Sequence, residues 1–166
     1  MTAAAEIAVR MGEIAASKTA GDVLVSLGLG SCIGLALVDQ RRGIAGLAHI
    51  MLPEALAGGG PIGKFADLAV PELVTRVTAL GTSRPMLKAI LVGGAQMFSL
   101  GASGAMDIGV RNDTAVRAML AEERIPVVAA ETGGSKGRTI RVVPGGVVLS
   151  KEAGGAEKTL MQGVRA

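Results

Sequence analysis

The sequence predicts an α+β fold, and three observations lead there. Eight short apolar runs bounded by glycine or polar residues read as strands, against two stretches with helical periodicity. The clearest local pairing is a hairpin, in which two apolar runs flank the charged turn Asp39-Gln-Arg-Arg42. A hairpin joins strands without an intervening helix, so α+β fits better than a βαβ array. No internal repeat or linker interrupts the pattern, and residues 1–166 are read as a single domain. A chain of this length buries about 68–70% of its unfolded surface.

The predicted strands are Ile14–Ala16, Val23–Leu27, Cys32–Val38, Ile44–Met51, Lys88–Val92, Val127–Glu131, Thr139–Val143 and Val147–Leu149. The first helix runs from Ala66 to Leu80. It lines up Ala66, Ala69, Leu73, Val77 and Leu80 on one face and stops at Gly81. Pro71 lies inside it, so this helix either kinks or begins its regular part there. The second helix is expected from Asp113 to Glu123, with Asn112 as its N-cap and Val116, Met119 and Leu120 facing inward. Ala55 to Gly63 reads as a flexible loop.

Composition narrows the function. Only two aromatics occur, Phe65 and Phe98, so the core is built from Val, Ile, Leu, Ala and Met. Glycine, at 25 of 166 residues, is about twice its usual share of roughly 7%. It clusters at the ends of apolar runs, where tight turns need it. One cysteine excludes an internal disulfide, and with a single histidine it makes a poor zinc site, so neither metal nor cofactor is expected. Glu6, Arg10 and Glu13 break the N-terminal stretch, leaving no signal-peptide core. No run approaches the roughly 20 apolar residues of a membrane span. The expected location is therefore the cytoplasm, where a thiol stays reduced. A net charge of +3 weakly favours acidic partners. Scattered basic residues without stacking aromatics disfavour nucleic acid.

Chemistry concentrates on the only cysteine, Cys32, and the only histidine, His49. A two-residue loop (Gln40, Arg41) or a four-residue loop (Asp39 to Arg42) would place them directly opposite on the hairpin. Opposed side chains then have Cβ atoms roughly 4.5–5.5 Å apart, close enough for an imidazole to take a thiol proton. Before Cys32, Ser26-Leu-Gly-Leu-Gly-Ser-Cys32 forms a glycine-rich turn. Its amides at Gly30, Ser31 and Cys32 would converge beside the sulfur as an oxyanion hole. A phosphate-binding reading is weaker, because Ile33 stands at the third glycine position, no helix follows, and a Walker lysine is missing. The bland readings are a space-filling cysteine and a satisfied core histidine. Gly93-Gly94 is most simply a turn, and Glu131 most simply a solvated strand end. Thr132 and Arg138 are candidate substrate-groove residues. Met51, Met97, Met106 and Met119 fit either core filling or an adaptable binding rim.

Several blocks resemble one family. Leu27-Gly-Leu-Gly-Ser-Cys-Ile33 and Gly46-Leu-Ala-His-Ile-Met-Leu-Pro53 are similar to CheD, the chemoreceptor glutamine deamidase. The likeness continues through Gly63-Lys-Phe-Ala-Asp67, Gly93-Gly-Ala-Gln-Met-Phe98, Ile108-Gly-Val-Arg-Asn112 and Glu131-Thr-Gly-Gly-Ser-Lys-Gly-Arg138. It spans the chain from about Gly12 to about Leu149. The resemblance implies layered mixed β-sheets flanked by helices, as in toxin-type cysteine deamidases. It also implies conversion of glutamine side chains to glutamate on methyl-accepting chemotaxis receptors, with the phosphatase CheC as a second partner. Carried over, Cys32 matches the nucleophile, His49 the base, and Ser26 the third, hydroxyl-bearing member, commonly threonine. In that scheme Ser26 orients the second imidazole nitrogen, and an imidazolium beside Cys32 lowers the thiol pKa below about 8.5.

Two rivals follow from the same residues. A non-catalytic adaptor would keep the fold and dock on receptor or phosphatase, with no need for Cys32 or His49. A cysteine peptidase would share the chemistry but lacks the long cleft segments such enzymes add.

Overall fold

The chain is described by a computed structural model covering residues 5–55, 59–96 and 107–163. In chain order the elements are β1 (Glu6–Ala8), β2 (Ile14–Ser17), β3 (Val23–Leu29), β4 (Ile33–Asp39), β5 (Ile44–Ile50), α1 (Ala66–Ala79), β6 (Lys88–Gly93), α2 (Ile108–Glu122), β7 (Val127–Thr132), β8 (Arg138–Val143), β9 (Val147–Glu152) and β10 (Glu157–Met161). The strands form two five-stranded mixed sheets, one ordered β1-β3-β8-β9-β10 and the other β2-β5-β4-β6-β7. The expected α+β class with layered sheets and flanking helices is what the structure shows.

Burial explains the layering. Leu24, Leu29, Ile140, Val142 and Val148 of the first sheet pack on Ala36, Val38, Leu47, Ile90 and Val92 of the second. The other face of the second sheet offers Leu35, Leu37, Ile50 and Leu91 to Leu73 and Val77 of α1 and Val116 and Leu120 of α2. The second sheet is therefore the middle of three layers. Every residue of β4 and β5 is buried, which is why both read as unbroken apolar runs. β8 instead alternates buried and half-buried residues, as expected where one face meets water.

All eight predicted strands are present with small changes of boundary. The two additions, β1 and β10, are edge strands whose residues are largely exposed, so neither carries an apolar signal. β6 and β7 pair in parallel across α2, a strand–helix–strand crossover within the α+β frame. Pro71 neither breaks nor delays α1, which is helical from Ala66. The second helix departs further from expectation. It begins at Ile108, so Asn112 lies within it and is not its cap. The loop expected from Ala55 to Gly63 falls partly outside the described residues, as do Met97, Phe98 and Met106.

The hairpin register also differs. Asp39 pairs with Ile44, and Gly34 rather than Cys32 stands opposite His49. The connecting loop is Gln40 to Gly43, two residues from the expected register, because Asp39 belongs to the strand. Its carboxylate accepts hydrogen bonds from the Arg42 amide (3.1 Å) and the Thr82 hydroxyl (2.6 Å). Gly43 closes the loop with φ +67°, a conformation suited to glycine.

Candidate active site

β3 belongs to the outer sheet and β4 to the middle one, so the chain must cross between them. Gly30, Ser31 and Cys32 make that crossing. Gly28 prepares it with φ +60°, where the pairing of β3 with β8 slips between Ser26 and Leu29. Each carbonyl of the crossing is held. The Gly30 carbonyl accepts from the Ala95 amide (2.8 Å), that of Ser31 from the Asn112 side-chain amide (2.9 Å), and that of Cys32 from the Gly94 amide (2.8 Å). Gly93 and Gly94 are thus more than a turn. Gly93 has φ +119°, and a Cβ there would overlap the Cys32 carbonyl oxygen. Among the described residues, no acceptor takes the amides of Ser31 or Cys32.

His49 sits on β5 facing the outer sheet. Side chains alternate along a strand, so Cys32, two residues before Gly34, lies on that same face and packs into the inter-sheet cluster. The pair is diagonal rather than directly opposed, with Cα atoms roughly 7–8 Å apart in such an arrangement. No hydrogen bond joins the two side chains. Gly34, on this same face, lets the outer sheet pack close against the strand. A Cβ there would come within 2.9 Å of Leu29 and 3.0 Å of Ile140.

The imidazole is clasped from the N-terminal segment. Nδ1 lies 3.1 Å from the Val9 carbonyl oxygen. A carbonyl can only accept, so Nδ1 carries the proton and Nε2 keeps its lone pair. The backbone of His49 is bonded on both sides, its amide donating to Glu13 (3.1 Å) and its carbonyl accepting from Gly12 (2.9 Å). Ser26 is fully buried nearby, and its hydroxyl donates to the same Val9 oxygen at 2.7 Å. The expected direct bond from Ser26 to the ring is therefore replaced by a shared acceptor. Burial holds His49 below its ordinary pKa, outweighing the Val9 hydrogen bond and the Glu13 charge, which act the other way. Burial also pushes the half-buried Cys32 thiol up. The expected lowering by an imidazolium is absent, so both groups are neutral near pH 7.

The remaining predicted residues are placed as follows. Thr132 ends β7 beside Gly93, half-buried. Arg138 is buried, and its guanidinium is committed to the Gly133 (2.7 Å) and Gly93 (3.3 Å) carbonyls and to Glu152 (3.5 Å). It braces the glycine turns behind Cys32 rather than lining an open groove. Glu131 pairs with Lys158 at 3.0 Å. Met51 and Met119 are half-buried. Two contributors escaped the sequence reading, Val9 and Asn112. Val9 acts through its backbone, which no side-chain pattern announces. Asn112 could have been found from its spacing, since it shares a helical row with Val116 and Leu120.

Comparison with known proteins bears on this geometry. A family described as "CheD chemotactic sensory transduction" matches residues 51–152. The chain belongs to the CheD family. Members named "Probable chemoreceptor glutamine deamidase CheD" include one from Clostridium kluyveri, 47% identical over 133 residues (76% of this chain, 82% of that one). The protein of that name from Geobacillus kaustophilus is 48% identical over 136 residues (79% and 82%). The one from Symbiobacterium thermophilum is 42% identical over 158 residues (92% and 96%). The CheD family match itself begins at residue 51, just beyond His49.

Proposed function

We propose that this CheD-family chain hydrolyses glutamine side chains of methyl-accepting chemotaxis receptors to glutamate, with Cys32 as nucleophile and His49 as base. The observation that carries the reading is the shared face. A half-buried thiol lies diagonal to an imidazole whose Nδ1–H is tied to Val9, leaving Nε2 free to accept a proton. The names of the relatives supply the substrate class.

Starting neutral, Nε2 takes the thiol proton as sulfur attacks the carboxamide carbon, and the Cys32 and Ser31 amides receive the oxyanion. The C–N bond breaks as imidazolium gives its proton to the nitrogen, which leaves as ammonia. Sulfur and the acyl carbon remain joined as a thioester. Neutral His49 then draws a proton from water, the hydroxide adds, and glutamate and the Cys32 thiol are released. Ser26 steadies the arrangement through Val9. The receptors' cytoplasmic portions are the expected substrate, and no helix among the described residues is long and apolar enough to cross a membrane. CheC docking belongs to the same proposal and rests on the family likeness.

The test is incubation with receptor cytoplasmic fragments, followed by mass spectrometry for a gain of about one dalton per converted glutamine. Full activity in Cys32→Ala would exclude the mechanism. An inactive wild-type chain that binds receptor tightly would favour the adaptor.

A further inference from the structure

Asn112 is a polar residue in a row built for packing. It shares one face of α2 with Val116 and Leu120, both in the core, and is itself fully buried. Both protons of its side-chain amide are used, on the Ser31 carbonyl (2.9 Å) and on the Met51 carbonyl (2.9 Å). Its own Oδ1 is buried without a partner among the described residues. A buried, unmet acceptor is costly, so the site retains asparagine for its two donors.

The two carbonyls name what those donors hold. Ser31 precedes Cys32, and Met51 follows His49 by two residues. The Ser31 carbonyl and the Cys32 N–H belong to one planar trans peptide and point in opposite directions. Drawing the carbonyl toward α2 therefore turns the Cys32 amide away from the helices, to the inter-sheet side where the Cys32 and His49 side chains lie. The carbonyl of the Gly30–Ser31 peptide is fixed by the Ala95 amide (2.8 Å). The Gly94–Ala95 segment itself rests on Gly109 in the first turn of α2, where a Cβ would meet the Ala95 carbonyl at 2.7 Å. The Cys32 amide is thus aimed from α2, and the segment that holds the Gly30 carbonyl rests on the same helix.

We propose that Asn112 is a positioning residue that sets the oxyanion-binding amide of Cys32 and ties it to the strand carrying His49. This rests on the deamidase reading above. It predicts a defect confined to reactions that develop an oxyanion. Alkylation of Cys32 by iodoacetamide occurs at a saturated carbon and develops none, so the two rates separate the roles.

The experiment compares the full-length wild type with Asn112→Asp, which exchanges both donors for acceptors at constant shape, and Asn112→Ser, which retains at most one donor. For receptor-fragment deamidation, kcat is expected to fall about 100-fold or more in the Asp variant and at least about tenfold in the Ser variant. KM and the iodoacetamide rate should stay within about threefold of wild type. A kcat within about threefold of wild type in a folded variant overturns the inference. So does a parallel loss of alkylation and deamidation, or failure of both variants to fold, since each assigns Asn112 to stability alone. A wild-type chain without deamidase activity removes the functional reading, and this inference with it.

Discussion

A backbone oxygen decides the chemistry of His49. Because the Val9 carbonyl can only accept, the ring presents an unprotonated Nε2, and burial lowers its affinity for a proton further. Burial raises the Cys32 thiol at the same time, so the resting pair is thiol and imidazole, not thiolate and imidazolium. Proton transfer must then accompany attack on the substrate, as in a serine hydrolase. The consequence is measurable without substrate. The rate of Cys32 alkylation by iodoacetamide should climb about tenfold per pH unit from about pH 6 to above 8.5, following the thiolate fraction. A plateau reached by pH 6 would reveal a preformed ion pair and contradict the neutral ground state. Deamidation should behave differently, with kcat/KM level through neutral pH and falling only on the acid side, as pH drops toward the depressed folded pKa of His49.

The element that organises the site is the β4–β5 hairpin, and its register is set at the end remote from Cys32. Burial alone would raise the Asp39 carboxyl, but hydrogen bonds from Thr82 and Arg42 hold it below its usual range. Asp39→Ala would remove those bonds and strand the Thr82 hydroxyl. The expected loss is about 2–3 kcal/mol, or roughly 5–10 °C in Tm. Deamidation at 25 °C should be nearly unchanged, since seven strand residues at about 3.3 Å each separate Asp39 from the site. An unaltered melting curve would show that the loop, not the carboxylate, sets the register. This hairpin also shows what was legible in the sequence. The apolar runs gave both strands, but Asp39 looked like turn and Gly43 like strand, which displaced the register by two residues. With a side-chain period of two, that error preserved the face, so Cys32 and His49 still meet on one side. A one-residue error would have separated them. Asn112 was misplaced for a different reason. The polar, glycine-rich stretch ahead of it gave no helical period, so α2 was started too late and a tertiary tether was read as a cap.

At the scale of the whole molecule, two facing layers enclose both reactive groups in neutral form, and the fold must answer for that when pH changes. In the unfolded chain His49 binds a proton near its ordinary pKa of about 6.5, whereas the folded site resists protonation. Below about 6.5 the unfolded state therefore holds more protons, and stability falls as pH drops toward the lower folded pKa. Cys32 acts at the other end. Above about 8.5 the unfolded thiol ionises while the half-buried folded one resists ionisation, so stability falls as pH rises toward the raised folded pKa. Asp39 adds a third limb, lost only as pH falls below about 4 toward its depressed folded pKa. The Tm profile should be flat between about pH 6.5 and 8.5, with separable shoulders on either side. His49→Gln, which cannot titrate, should flatten the limb that begins below about pH 6.5, and Cys32→Ala the limb above about 8.5. If the wild type and both variants trace parallel curves, the two groups are not held neutral by the fold. The concerted proton transfer argued from their charge states would then lose its basis.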